Sequence, residues 1–180
     1  MLWLYAVVFI LLASAAYAAV HGAPWVPTRR RDVARVLRLL DAKPGQTVYE
    51  LGCGDGRVSV AIARQTCAKV VGVELSLAQW LAASIRGVVY RATPSYKEGD
   101  SAARGSLRFC LADAFSVDLS GADAVYLFLM PETYAKLRPK FERELKPGAV
   151  VVSYVWPIPG WTPAERDHRE GTEDLYRYVR

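Results

Sequence analysis

The feature that most constrains this chain is a glycine-rich turn between a short apolar strand and a helix. The pattern predicts a buried strand over residues 47–51 and a helix over residues 57–65, joined through Glu50-Leu51-Gly52-Cys53-Gly54-Asp55-Gly56. Glycines let the backbone adopt positive φ and approach a ligand closely. In doubly wound sheets ligands bind at the carboxyl ends of the strands, so the turn predicts a ligand site.

The glycine spacing argues against a nicotinamide dinucleotide as this ligand. A dinucleotide-binding turn reads G-x-G-x-x-G, which would place the third glycine at position 57. Arg57 stands there, and the glycine comes one residue earlier, at Gly56. The spacing therefore disfavours a nicotinamide oxidoreductase.

Strand and helix patterns alternate along the rest of the chain. Further strands are predicted over 69–75, 107–112, 122–129 and 149–155, with a last edge strand over 174–179. Helices are predicted over 77–89 and 132–145, where Pro139 should kink or divide the second helix. The polar stretch 91–106 predicts a surface loop. The fold class is therefore α/β, with a mainly parallel sheet covered by helices on both faces.

Two acidic residues lie at the carboxyl ends of neighbouring strands of this predicted sheet. Glu74 ends the second strand, where a carboxylate can accept hydrogen bonds from both hydroxyls of a ribose. Asp113 ends the third strand, where an acid can meet an adenine amino group. Together with the glycine turn, these positions predict a site for an adenine nucleoside.

The N-terminal segment is apolar enough to enter a membrane. Residues 2–20 form a run of nineteen residues without a charge, and a helix of that length spans about 28 Å, close to the hydrocarbon thickness. Small residues around Ala16 to Ala18 also permit a cleaved signal peptide, but the run is long and no basic residue precedes it. We expect an uncleaved single-pass anchor. The arginines that follow it predict that the domain stays on the cytoplasmic or matrix side.

A linker and an amphipathic helix follow the anchor. The segment HGAPWVPT contains two prolines and predicts an extended linker, after which apolar residues recur at helical spacing over 29–41 with Thr28 as the N-cap. We therefore expect an anchor over residues 1–21, a linker and helix over 22–44, and the ligand-binding domain over 45–180.

Charge and cysteine usage exclude several classes of protein. The net charge of +5 comes from scattered arginines with one local run at Arg29 to Arg31, so we expect no nucleic-acid partner. Cys53, Cys67 and Cys110 form no C-x-x-C pair, and the chain has only two histidines. We therefore expect no metal site. We expect a monomer.

At the glycine turn and the two acids the sequence resembles the class I S-adenosylmethionine-dependent methyltransferases, which have a Rossmann-like fold. ELGCGDG is similar to their first motif, and LKPG to the turn before their fifth strand. The resemblance implies S-adenosyl-L-methionine as cofactor, with the methionine part over the glycine turn, the ribose on Glu74 and the adenine beside Asp113. The implied cofactor-binding residues are Glu50, Gly52, Cys53, Gly54, Gly56, Glu74, Leu75, Asp113 and Ala114.

A narrower resemblance involves the flanking segments. The order PWVPT, ELGCGDGR, YLFLMPE, ERELKPGAVVVS and WPIPGWTP after an apolar segment is similar to the membrane-associated protein lysine methyltransferases. That family includes the enzymes that act on the adenine nucleotide translocase and the ATP synthase c subunit. The resemblance implies a lysine of a membrane protein as acceptor. A lipid or small-molecule acceptor stays open, as does a non-catalytic binding module.

Three residues are candidates for the acceptor side of the site. Glu132 follows the fourth predicted strand, and Tyr154 and Trp156 lie at the end of the fifth. An amine acceptor must be neutral before it reacts, and aromatic walls favour the neutral form by desolvation. We therefore name Glu132, Tyr154 and Trp156 as catalytic candidates, with Glu132 orienting the amine or accepting its proton through water.

Overall fold

The computed structural model describes residues 1–93 and 105–180. The helices are α1 (Leu2–His21), α2 (Arg30–Leu40), α3 (Arg57–Thr66), α4 (Leu77–Ala92) and α5 (Pro131–Glu144). The strands are β1 (Thr47–Leu51), β2 (Lys69–Glu74), β3 (Leu107–Leu111), β4 (Ala124–Leu127), β5 (Val150–Tyr154), β6 (Glu165–Asp167) and β7 (Leu175–Val179). Most of the polar stretch 91–106 that we predicted as a loop lies outside the described residues.

The strands form one mainly parallel sheet in the order β3-β2-β1-β4-β5-β7-β6. The first five strands in this order are parallel, whereas β7 runs antiparallel to both β5 and β6. The predicted α/β class is confirmed. The predicted edge position of the last strand is wrong, because β7 lies between β5 and β6, and the short strand β6 forms the edge.

Helices cover both faces of the sheet because strand residues alternate between two buried clusters. Along β4, Ala124 and Tyr126 belong to the cluster that contains α2 and α3 residues, and Val125 and Leu127 belong to the cluster that contains α5 residues. Successive side chains of a strand point to opposite faces. The two clusters therefore lie on opposite sides of the sheet.

The N-cap predicted for α2 is wrong, and so is the division of α5 at Pro139, whereas the kink that we predicted as the alternative stays a prediction. Thr28 does not cap α2: the N-cap residue is Arg29, and the Thr28 hydroxyl instead shares a 2.7 Å hydrogen bond with the buried Tyr126 hydroxyl. Pro139 does not divide α5, which runs unbroken from Pro131 to Glu144. Leu137 and Phe141 on either side of the proline are fully buried, and their packing offsets the lost backbone hydrogen bond.

The apolar helix α1 is fastened to the domain by its second half. The residues from Leu2 to Ile10 are exposed, whereas Ala18 is buried. The Ser14 hydroxyl accepts a 2.7 Å hydrogen bond from the backbone N–H of Leu77, at the start of α4. By length and composition α1 is a candidate membrane span. Its last turns nevertheless belong to the surface of the domain.

Candidate active site

A cleft opens at the carboxyl ends of β1, β2 and β3, where the sequence predicted the ligand. It is lined by all but one of the residues that we predicted to bind the cofactor, namely Glu50, Gly52, Cys53, Gly54, Glu74, Leu75, Asp113 and Ala114. The structure therefore brings together residues from three separate strand ends. The exception is Gly56, which is the left-handed N-cap of α3 and would meet the Phe109 ring with any added Cβ.

Two glycines of the turn have to be glycines. Gly52 has φ +74° and Gly54 has φ +54°, a region that residues with a Cβ adopt only with strain. A Cβ at Gly52 would lie 2.6 Å from Leu129 Cδ2, and one at Gly54 would lie 2.8 Å from Trp25 Nε1. The turn from Gly52 to Gly54, which we call the glycine cradle, is thus a narrow space in which the backbone fits but a side chain at Gly52 or Gly54 does not.

Glu74 shapes this cradle from the end of β2. Its side chain is buried, and its two carboxylate oxygens accept hydrogen bonds from the backbone N–H groups of Gly54 and Ser76, each at 2.8 Å. A carboxylate has about four acceptor positions. Two therefore remain for hydroxyl groups of a ligand, as the predicted ribose contact requires.

The Glu50 carboxyl group is buried at the inner end of the cleft. Burial raises its pKa to about 8, although the hydrogen bond that Ser59 donates to it acts in the opposite direction. Asp55 differs, since hydrogen bonds from Arg57 and the charge of Arg86 outweigh the effect of burial and lower its pKa. Asp55 therefore holds α3 and α4 together as an ion-paired carboxylate.

The segment between α1 and α2 covers the cleft. Trp25, Val26, Pro27 and Thr28 all line it, and so do Ala15, Ala18 and His21 from the last turns of α1. From the sequence we predicted these residues as an anchor and a linker, and their place in the cleft was not predicted. The PWVPT segment could have indicated this, because it is one of the segments that resemble the membrane-associated protein lysine methyltransferases and no contact had been predicted for it.

A second cavity lies beyond the end of β4 and shares a wall with the cleft. The shared wall consists of Ala23, Pro24, Val26, Pro27, Phe128 and Leu129. The predicted candidates Tyr154 and Trp156 line the second cavity, together with Met130. Glu132 is exposed in the first turn of α5 and is not among the described residues that line either cavity.

Comparison with known proteins shows the family to which this chain belongs. The model of the ANTKMT methyltransferase domain matches residues 50–165. The chain belongs to this family. A protein-lysine N-methyltransferase of Saccharolobus islandicus is 35% identical over 79% of this chain and 82% of its own length. The human lysine N-methyltransferase of the ATP synthase c subunit is 34% identical over 86% of this chain, which spans only 60% of that longer protein.

A solved structure from Salinibacter ruber extends the match to the cofactor. That protein is described as an RNA methyltransferase in complex with S-adenosyl-L-homocysteine, and it superposes with a TM-score of 0.75 at 31% identity over 86% of this chain and 93% of its own. The chain is therefore an S-adenosylmethionine-dependent methyltransferase with a Rossmann-like fold. The glycine cradle and the free acceptor positions of Glu74 fit that cofactor.

Proposed function

We propose that this methyltransferase acts on a lysine side chain of a membrane protein. The observation that carries the proposal is the second cavity, which shares a wall with the cofactor cleft and is lined mainly by apolar and aromatic side chains. A lysine has a long apolar stem that such a cavity suits. Two adjoining cavities can hold the two reactants next to each other, and transfer then needs an opening between the shared residues through which the amine reaches the methyl group.

The walls of this cavity favour the reactive form of the amine. S-adenosylmethionine, when bound, supplies a methyl group on a positively charged sulfur. A free lysine has a pKa near 10.4 and must lose a proton before it can act as a nucleophile. Burial against Phe128, Tyr154 and Trp156 disfavours the ammonium form, because desolvation penalises the charged state.

Tyr154 serves as a wall and not as a base. Its hydroxyl donates a 2.7 Å hydrogen bond to the buried Asp32 carboxylate, and burial together with that carboxylate raises its pKa above the ordinary value of 10. The proposed role of Trp156, which is 43% exposed, is contact with the entering side chain. Glu132 could orient the amine or accept its proton only if its side chain turned toward the second cavity. Met130, two residues earlier, lines that cavity.

The membrane part of the proposal rests on α1 and on the relatives. The name of the human relative gives the c subunit of ATP synthase as its substrate, and the apolar, exposed part of α1 from Leu2 to Ile10 can enter a bilayer while its second half packs on the domain. The five residues from Pro24 to Thr28 reach at most about 18 Å, and they lie on the domain. We therefore propose a site held against the bilayer on the cytoplasmic or matrix side, where it meets lysines close to that surface.

An RNA acceptor is the second candidate because the Salinibacter ruber protein carries that description. Methyltransferases acting on nucleic-acid amines usually have Asp or Asn followed by Pro-Pro and an aromatic residue after the fourth strand. Here that position reads Leu129-Met130-Pro131-Glu132. The apolar cavity also offers few partners for a base edge, and both points favour lysine.

Methyl transfer to native membranes separates the candidates. Full-length protein is incubated with membranes and radiolabelled S-adenosylmethionine, and the product is divided into protein, lipid, RNA and soluble fractions. We expect label in protein, and methyllysine after acid hydrolysis. Label in lipid, RNA or a soluble metabolite, or on another amino acid, would refute the lysine proposal.

A further inference from the structure

An ion pair closes the rim of the second cavity. Of the described residues that line it, Glu173 is the only one with a carboxylate and Arg29 is the only one with a positive charge. Arg29 Nη2 lies 3.1 Å from Glu173 Oε1, and the two side chains are 54% and 36% exposed. Exposed ion pairs of this kind stabilise a fold little. The pair can therefore open for a competing cation at low cost.

The backbone beneath Glu173 is held by a buried arginine. Arg35 is 4% exposed, and its guanidinium donates to the Glu173 carbonyl oxygen at 2.9 Å and to the Thr172 hydroxyl at 2.9 Å. The same guanidinium forms ion pairs with Asp32 and Asp167, at 2.8 and 2.9 Å. The loop between β6 and β7 is thus fixed to α2, and the Glu173 carboxylate is held at the rim.

The same buried network fixes a wall of the cavity. Asp32, which pairs with Arg35, also accepts the hydrogen bond from the Tyr154 hydroxyl. The buried pair of Arg35 and Asp32 therefore positions both Glu173 at the rim and Tyr154 in the wall of the second cavity. A buried cation with two carboxylate partners is costly to assemble unless its hydrogen bonds are satisfied. In Arg35 both Nη atoms are hydrogen-bonded, whereas Nε has no hydrogen-bond partner among the described residues. The bonds of the Nη atoms place Glu173 directly and Tyr154 through Asp32.

We propose that Glu173 is the residue that recognises the acceptor lysine as an ammonium ion at the rim of the second cavity. This inference rests on the proposed lysine acceptor. A lysine arrives charged, and the guanidinium of Arg29 alone would repel it. Glu173 exchanges Arg29 for the incoming ammonium. The amine then gives its proton to water as it leaves Glu173 and enters the apolar cavity, because desolvation there disfavours the ammonium form. Glu173 thereby selects cationic acceptors over neutral ones.

The test compares Glu173→Gln with Arg29→Gln in the full-length protein, with the detergent-solubilised c subunit of ATP synthase as acceptor. Glu173→Gln should raise the KM for the acceptor roughly three- to fivefold, the range expected of a partly exposed charge pair, with little change in kcat. Arg29→Gln should lower that KM, because it removes the competing cation. Added salt should raise the KM of the wild type more than that of Glu173→Gln.

The control is Glu170→Gln, which removes an exposed acid from the same loop outside both cavities. It should leave the KM unchanged, and affinity for S-adenosylhomocysteine should be the same in all variants. If Glu173→Gln leaves the KM and its salt dependence unchanged, the inference is wrong. It is also wrong if both ion-pair variants raise the KM alike, since the pair would then be structural. A wild type that methylates no lysine would refute the proposed function as well.

Discussion

Replacement of Glu74 by alanine should abolish cofactor binding at ordinary concentrations while leaving the domain folded. The carboxylate has two expected effects on the cofactor. It offers two free acceptor positions to the ribose, and it holds the glycine cradle through the N–H of Gly54. Both are lost in Glu74→Ala.

The magnitude follows from the number and kind of hydrogen bonds. A hydrogen bond to a charged group contributes about 1.5 to 3 kcal/mol, so two of them contribute about 3 to 6 kcal/mol. Since about 1.4 kcal/mol corresponds to a factor of ten, the Kd should rise at least about a hundredfold. The buried N–H groups of Gly54 and Ser76 also lose their partner, which should lower the free energy of unfolding by about 1 to 3 kcal/mol for each.

Calorimetric titration with S-adenosylhomocysteine measures the first effect, and urea unfolding followed by circular dichroism measures the second. The matched control is Asp118→Ala, which removes an exposed acid whose hydrogen bonds are to Ser120 and which lies outside both cavities. It should bind as the wild type does. A folded Glu74→Ala protein whose Kd stays within threefold of the wild type would refute the assignment of Glu74.

Two further predictions concern the inner end of the cleft and the segment that covers it. Burial raises the pKa of Glu50 to about 8, so the folded state retains a proton that the unfolded chain releases near pH 4.5; the free energy of unfolding of the ligand-free protein should therefore fall from pH 5 to pH 8. Glu50→Gln should remove most of that fall, which we expect to be roughly 3 to 5 kcal/mol. Urea unfolding at pH 5 and pH 8 measures it, and an equal fall in the wild type and in Glu50→Gln would contradict the prediction. Deletion of residues 2–13 should leave the affinity for S-adenosylhomocysteine unchanged, whereas deletion of residues 2–20 should weaken it about tenfold, because two apolar contacts from Ala15 and Ala18 contribute about 0.8 kcal/mol each. Equal affinities of the two truncated proteins, measured by calorimetry in detergent, would show that α1 has no part in the cleft.

The sequence by itself predicted most of the residues that meet in the cleft proposed for the cofactor. The glycine turn is a local signal, because the spacing of Gly52, Gly54 and Gly56 fixes the backbone within seven residues. Glu74 and Asp113 were predictable as partners of that turn even though they are distant in sequence. Each follows a parallel strand, and the carboxyl ends of neighbouring parallel strands meet at one edge of the sheet.

The second cavity, which we propose as the acceptor site, was decided by the tertiary structure. It combines the linker after α1, the ends of β4 and β5, and the loop that carries Glu173, and no local pattern links these segments. We predicted the linker as a spacer because its prolines and small residues show neither helical nor strand periodicity. In the structure the linker packs over the glycine turn and lies between the two cavities. The position of β7 between β5 and β6 likewise depends on long-range antiparallel pairing. Arg35 shows the same limit, since in the sequence it is one of several helical arginines. Asp32 lies three residues earlier on the same helix, but only packing against β6 and the loop before β7 buries the guanidinium and adds Asp167 as a second carboxylate partner.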